Sequence, residues 1–248
     1  MKEYGTTTYG ELNAEHYDAT YEDLMSQETA GCVQTLAELA AGGKVLELAI
    51  GTGRVALPLA ARGLTVHGIE ASEAMVARLR EKPGGSAIPV EIGDMSEVRV
   101  NNTFDLIYLV FNTIFNLTTQ EAQVRCFQNA ARHLNPGGVF VVETVVPDFS
   151  GYVDGQRMKG SWARIDSARF EIAIHDPVVQ TVAFQRIIIS EEGTQMTPHF
   201  MRYAWPSELD LMGQLAGLER RERWAWWDRS PFTAGSKSHV TVYGHAGQ

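Results

Sequence analysis

The chain has 248 residues, enough for one large domain or for a core with an inserted cap. Hydrophobic residues make up 44 % and charged residues 21 %, which suits a globular enzyme rather than a disordered or membrane chain. A formal net charge of −9 argues against a nucleic-acid binder, since tracking phosphates needs a basic excess, and the densest arginine cluster (Arg220, Arg221, Arg223) is interleaved with acids.

The first 42 residues read as a polar entry followed by helices. The opening "MKEYGTTTYGELN" has no signal core, and no apolar run approaches ~20 residues, so a cytoplasmic protein without membrane contact is expected. "AEHYDATYEDLMSQ" and "TAGCVQTLAELA" place Val33, Leu36, Ala37 and Leu39 at helical spacing until Gly42-Gly43 ends the helix. From Lys44 to about Pro147 strands and helices alternate. "KVLELAI" is a first strand and residues 54 to 62 a helix. "TVHGIE" is a second strand, followed by a helix capped by Ser72. "IPVEIGD" and "FDLIYLV" are third and fourth strands. "TQEAQVRCFQNAARHL" is an amphipathic helix stopped by "NPGG", and "VFVVETVV" is a fifth strand. Such alternation implies an α/β fold, doubly wound, with a parallel sheet covered on both faces. Cys32 and Cys126, too few for a zinc cage or a disulfide framework, read as buried hydrophobes on these helices.

After Pro147 the character changes. "WARIDSARFEIAIHD", "VVQTVAFQRIIIS" and "TPHFMRYAW" are β-rich runs separated by turn signals, implying an antiparallel sheet inserted over the core. "PSELDLMGQLAGL" restores a helix at Pro206. "ERRERWAWWDRS" and "SHVTVYGHA" close the chain as a hairpin at the edge of the main sheet. On that strand Trp224 and Trp226 would share one face and Trp227 take the other, as core anchors or as a wall for a planar or cationic substrate.

The stretch "VLELAIGTGRVALPLAARG" is a strand, a glycine turn and a helix start, which is a place to hold a nucleotide-like ligand. Gly51-Thr52-Gly53-Arg54-Val55-Ala56 fits the dinucleotide fingerprint, and Glu70 ends the second strand where a ribose diol would lie, so a nicotinamide-dependent oxidoreductase has to be weighed. Three details point elsewhere. Glu47 is a carboxylate inside an apolar strand, which needs a local reason. The third strand runs into Gly93-Asp94-Met95, where an acid can accept from an adenine amino group. Nothing after "FDLIYLVFN" looks like a second mononucleotide-binding half.

Glu47-x-x-x-Gly51-x-Gly53, Glu70, Gly93-Asp94-Met95, Phe104-Asp105 and Pro136-Gly137-Gly138 occur in order. With them the chain, from about Gly42 to Val146, resembles the class I S-adenosylmethionine-dependent methyltransferases. The resemblance implies S-adenosyl-L-methionine as cofactor and S-adenosyl-L-homocysteine as product. It implies a Rossmann-like seven-stranded mixed sheet. Ala49, Gly51, Thr52 and Gly53 would let the backbone approach the methionine part. Glu70, with Ala71 and Met75 beside it, would hold the ribose. Asp94 and Met95 would frame the adenine, and Val110 with Phe111 would lie beside the sulfonium. Arg54 and Tyr9 or Tyr17 are candidates for the methionyl carboxylate.

The chain also looks like small-molecule methyltransferases of bacterial natural-product pathways, nearest to the amino-sugar N,N-dimethyltransferases. Those carry a histidine suited to act as base where this sequence has Asn116. Asn112 and Asn116 present neutral amides that orient but do not deprotonate. An amine or an electron-rich carbon is therefore expected as acceptor, positioned by Tyr17 and Tyr21, with a small-molecule O-methyltransferase or a non-catalytic cofactor-binding module as alternatives. His133 is expected to act as a charge partner at a helix C-terminus. His16, His175 and His199 are set aside as bases, and Glu143 is either a core contact or a pocket acid. The expected divisions are 1–42 (helical lid), 43–147 (cofactor core), 148–205 (acceptor cap) and 206–248 (closing helix and strands). No nucleic acid or metal is expected, and a homodimer is left open.

Overall fold

The computed structural model describes residues 4–5 and 7–247, apart from the side chains of 19–28. Helices α1 (Thr8–Asn13) and α2 (Tyr17–Ala40) form the entry. α2 ends where Ala41 and Gly42 turn left-handed, at φ 49° and 83°. The alternating part follows as β1 (Lys44–Leu48), α3 (Ala56–Ala61), β2 (Thr65–Glu70), α4 (Glu73–Glu81), β3 (Val90–Ile92), β4 (Phe104–Leu109), α5 (Gln120–His133) and β5 (Leu134–Val145). Ser72 caps α4 by accepting from Met75 N–H at 3.3 Å, and Thr119 caps α5 by accepting from Ala122 N–H at 3.1 Å.

These strands lie in a seven-stranded sheet with β10 (Leu218–Trp224) and β11 (Ser238–His245), in the order β10-β11-β5-β4-β1-β2-β3. β5, β4, β1, β2 and β3 run parallel, while β11 is antiparallel to both β5 and β10. β1 lies between β2 and β4, so the order reverses there. The crevice beyond the carboxyl ends of β1 and β4 is a topological switch point, where open α/β sheets bind ligands. Two apolar clusters cover the two faces; Leu46, Leu48, Ile107 and Phe140 belong to one, and Val45, Leu106, Tyr108 and Val141 to the other. Alternate residues of the same strands thus feed opposite cores, which is why these strands read as continuous apolar runs.

The insert is a separate four-stranded antiparallel sheet of β6 (Gln156–Ala163), β7 (Ser167–Asp176), β8 (Thr181–Ser190) and β9 (Gly193–Arg202), and α6 (Pro206–Leu215) follows it. Gln123 on α5, fully buried, fixes the far end of β9. Its Nε2 donates to the carbonyls of Ile114, Leu117 and Arg202, and Arg202 returns a bond to Gln123 Oε1 at 2.6 Å. An ion pair of buried Arg202 with half-buried Glu208, at 2.7 Å, completes the joint. The insert is therefore held in register with the turn after β4.

Some local expectations change. "NPGG" lies inside β5, which begins at Leu134 directly after α5, and Gly137 within it is left-handed at φ 78°. "WARIDSARFEIAIHD" splits, because a turn at Asp166 separates β6 from β7, and the polar strand β6 begins well before Trp162. β10 stops at Trp224, so strand alternation does not govern the tryptophans: Trp224 and Trp227 are both buried in one core and Trp226 packs against it. His133 is not a charge partner. Its Nε2 accepts from Val100 N–H at 3.1 Å and its Nδ1 contacts Asn129 O at 2.8 Å, which requires a neutral ring. Cys32 and Cys126 are buried on α2 and α5 as expected, with burial pushing both thiols up. No helix is long and apolar enough to cross a membrane, and no metal-ligand cluster exists among the described residues.

Candidate functional site

The loops after β1, β2 and β3 line one cavity of about 670 Å³. After β1 the chain turns through Ala49 and Gly51, both left-handed at φ 56°. For an alanine this costs roughly 1–2 kcal/mol. The turn is held because Ile50 N–H donates to Ile69 O and Gly53 N–H to Ile50 O, each at 3.0 Å. Nothing lies within 4 Å of where a Cβ on Gly51 would sit, so bare backbone faces the cavity there. Gly53, at φ 80°, is different: its Cβ would run into the side chains of Leu79 and Leu57, and it is not among the residues lining the cavity. Its lack of a side chain lets the turn seat against α4.

Glu70 ends β2 and lines the cavity with Ala71 and Met75. Its Oε2 accepts from Gly51 N–H at 2.8 Å and its Oε1 from Ser72 N–H at 2.9 Å. Burial raises its carboxyl above the ordinary range, opposed by those backbone donors. Each oxygen keeps a second lone pair, so the group can still take a vicinal diol. Gly93, Asp94 and Met95 form the next wall; Asp94 Oδ1 accepts from Ser96 N–H at 2.7 Å, which fixes the carboxylate. Glu47 lies deeper, with Thr52, Arg54, Val110 and Phe111 around an adjoining cavity. Burial pushes it up to about 8, and a bond of 2.7 Å from Tyr108 Oη is the local reason that a carboxyl sits in an apolar strand. Arg54 stacks over the Phe111 ring at 3.3 Å and reaches Thr29 Oγ1 at 3.4 Å.

Beyond β4, Phe111 and Asn112 are both left-handed, at φ 59° and 61°. Glu143 holds this bulge: its carboxylate accepts from Phe111 N–H at 2.9 Å and its carbonyl from Asn112 N–H at 3.2 Å. Glu143 is thus a buried structural acid. Asn112 Oδ1 accepts from Val145 N–H at 2.5 Å. A short turn over Thr113–Asn116 then brings Asn116 over the cleft.

Here a third cavity, of about 770 Å³, opens against the insert, walled by Asn112, Asn116, Phe184, Arg186, His199 and Met201. Tyr9, Tyr17, Thr113 and Asn116 line both this cavity and the glycine-turn cavity, so the two share a wall. His199 is the residue that sequence reasoning undervalued. Its Nε2 lies 3.0 Å from Asn116 Oδ1 and its ring 4.8 Å from that of Tyr9. Burial, helped by Arg186, lowers it to about 4, so the ring is neutral and Nε2–H donates to Asn116. The signal was strand parity: Phe184 pairs with His199 across β8 and β9, and Arg186 and Met201 follow at i+2 on the same face. His175 stacks on Phe149 at 3.8 Å and bonds Tyr203 Oη at 3.0 Å, apart from these cavities, and His16 is exposed. The side chain of Tyr21 lies outside the described residues.

The site fits the expected cofactor on its own geometry: an open cradle at Gly51, a diol acceptor at Glu70 and a fixed acid at Asp94. Residues 45–138 match the family described as "Methyltransferase domain". The CcbJ methyltransferase of Streptomyces caelestis superposes with a TM-score of 0.91 at 37 % identity, covering 98 % of this chain and 100 % of that one. The cypemycin N-terminal methyltransferase of a Streptomyces species is 28 % identical over 81 % of this chain and 82 % of its own length. A dTDP-4-amino-2,3,4,6-tetradeoxy-D-glucose N,N-dimethyltransferase of Saccharopolyspora spinosa is 31 % identical over 60 % of this chain and 62 % of its own.

Proposed function

The chain belongs to the class I S-adenosylmethionine-dependent methyltransferases, and from that premise we propose that it methylates a neutral amine of a small organic acceptor seated against the insert. The observation that carries this is the shared wall. Tyr9, Tyr17, Thr113 and Asn116 face both the glycine-turn cavity and the cavity beside β8 and β9, so donor and acceptor meet across one partition. One of the similar proteins is named an N,N-dimethyltransferase and another an N-terminal methyltransferase, which supports the choice of atom.

Bound S-adenosylmethionine supplies a methyl group on a cationic sulfur that leaves as a neutral thioether. The residues of this chain then have to hold the acceptor in line and keep water out. Glu70 and Asp94 hold the cofactor by its polar ends in this account, and bare backbone at Gly51 allows close approach. Tyr9 and Tyr17 close the partition. Asn116, aligned by His199, orients the acceptor by a hydrogen bond. An amine held there in its neutral form would attack without prior deprotonation, and the proton of the product ammonium would leave to solvent. His199, lowered to about 4, is a poor base at neutral pH.

The test is the pH dependence of methyl transfer to matched amine and alcohol acceptors. With an amine, kcat/KM should follow the free amine's own ionisation. Asn116→Ala should raise KM more than it lowers kcat, since it removes orientation and not chemistry. Faster turnover of the alcohol, with a rate governed by an enzymic group near neutrality, would overturn the proposal.

A further inference from the structure

The acceptor cavity carries charge of one sign. Arg54 and Arg186 both line it, and no aspartate or glutamate does among the described residues. Arg186 lies on β8, half-buried, and its guanidinium makes no hydrogen bond or ion pair with another described residue; its charge is felt by His199. A guanidinium in a partly dry wall has lost hydration that only an anion restores well, and its planar fork matches carboxylate and phosphate oxygens. The amides lean the same way. Asn112 Oδ1 is committed to Val145 N–H and Asn116 Oδ1 to His199, so both leave their NH₂ donors free. The wall is thus rich in donors and cations.

From these placements the geometry points to an acceptor that carries an anionic group, a carboxylate or a phosphate, received by Arg186 with Arg54 on the cofactor side. This rests on the proposal that a methyl acceptor occupies this cavity. Anchoring the far end of the molecule at the insert leaves its amine free to reach the partition of Tyr17 and Asn116. The same positive potential disfavours the ammonium form of that amine, so it delivers a reactive neutral nitrogen without a base.

The experiment titrates protein loaded with S-adenosylhomocysteine with two matched pairs. One is N-methylphenylalanine and its primary amide; the other is glucosamine 6-phosphate and glucosamine. Wild type, Arg186→Gln and Arg186→Lys are compared. In wild type the anionic member of at least one pair should bind about tenfold tighter than its neutral partner, less so at high salt. The pair that shows this tells carboxylate from phosphate. Arg186→Gln should abolish the preference and Arg186→Lys should keep most of it. Absence of an anion preference in wild type, including no detectable binding by either anion, overturns the inference, as does a preference that survives Arg186→Gln. The affinity for S-adenosylhomocysteine, read in the same series, should be alike in all three proteins. Its absence in wild type would sink the methyltransferase reading of the cleft itself, a separate failure.

Discussion

On the cofactor side, apart from the shared partition and the turn after β4, the wall comes from one stretch of chain, Glu47 to Met95, and is fixed by backbone groups. Ala49 and Gly51 are left-handed, the amides of Gly51 and Ser72 clamp Glu70, and the amide of Ser96 clamps Asp94. On the acceptor side the wall is side chain, gathered from Tyr9, Asn116, Phe184, Arg186 and His199 on elements far apart in sequence. A backbone wall is set by turn geometry and changes little with the residues around it. A side-chain wall is set by tertiary placement and can change its chemistry with single substitutions. The first suits a ligand common to a family, the second an acceptor particular to one member.

The sharpest way to break this comparison is within the glycine turn, where the two glycines should fail differently. Gly53→Ala puts a methyl group into Leu79 at a left-handed φ, and should cost about 2–5 kcal/mol of stability by chemical denaturation. Gly51→Ala has only the backbone strain, about 1–2 kcal/mol, and should stay folded. Its methyl group enters the cavity, so affinity for S-adenosylhomocysteine should fall steeply. If Gly51→Ala binds as wild type does, the cradle is not where the ligand approaches.

Glu70 tests whether a clamped carboxylate also serves the ligand. Glu70→Ala should weaken S-adenosylhomocysteine binding by about 2–3 kcal/mol. Analogues lacking one ribose hydroxyl should lose affinity to wild type and little further to the variant. Equal losses in both proteins would mean that Glu70 only braces Gly51 and Ser72.

The difference between the halves also explains what the sequence made legible. The alternating core, the cap Ser72 and the tight turn at Gly51 are readable because each is a local pattern. The motif does not show that Leu79 fills the space beside Gly53, because that contact comes from α4. His199 was set aside because a histidine in a β-run reveals its face only when register with Phe184 is known. The left-handed pair Phe111-Asn112 leaves no glycine mark, being held by Glu143 from another strand.

His199 also gives the acceptor wall a pH signature opposite in sign to that of Glu47 on the cofactor side. In the folded chain it is lowered from 6.5 to about 4, so the unfolded chain takes up a proton first as pH falls. Stability from this group is intact above about 6.5, declines as pH drops and levels off below about 4, a loss of roughly 3 kcal/mol in all. His239, lowered to about 3 by burial, acts in the same direction. Glu47, raised to about 8, acts oppositely, costing stability as pH rises from its ordinary range towards 8. Denaturation of wild type and His199→Gln at pH 5 and 7.5 should show a smaller drop in the variant. Equal drops would place His199 in water.

The smallest effect concerns the contact that ties the two walls together. Lys82 Nζ lies 2.7 Å from Asp18 Oδ2 and 2.9 Å from Thr52 O, while Thr52 Oγ1 donates to Asp18 Oδ1 at 2.7 Å. Asp18 follows Tyr17, which lines all three cavities, so this latch pins the start of α2 to the glycine turn. The Lys82 and Asp18 side chains are 29 % and 44 % exposed, so the ion pair should contribute only ~0.2–1 kcal/mol and weaken with salt. Asp18→Asn keeps an acceptor for Thr52 and removes the charge. Its Tm should fall by at most about 4 °C, while S-adenosylhomocysteine should dissociate roughly 2–5-fold faster. Added salt should speed dissociation from wild type and leave the variant unchanged. Identical off-rates at low salt would show that Tyr17 keeps its place without the latch, and that the walls are joined by packing alone.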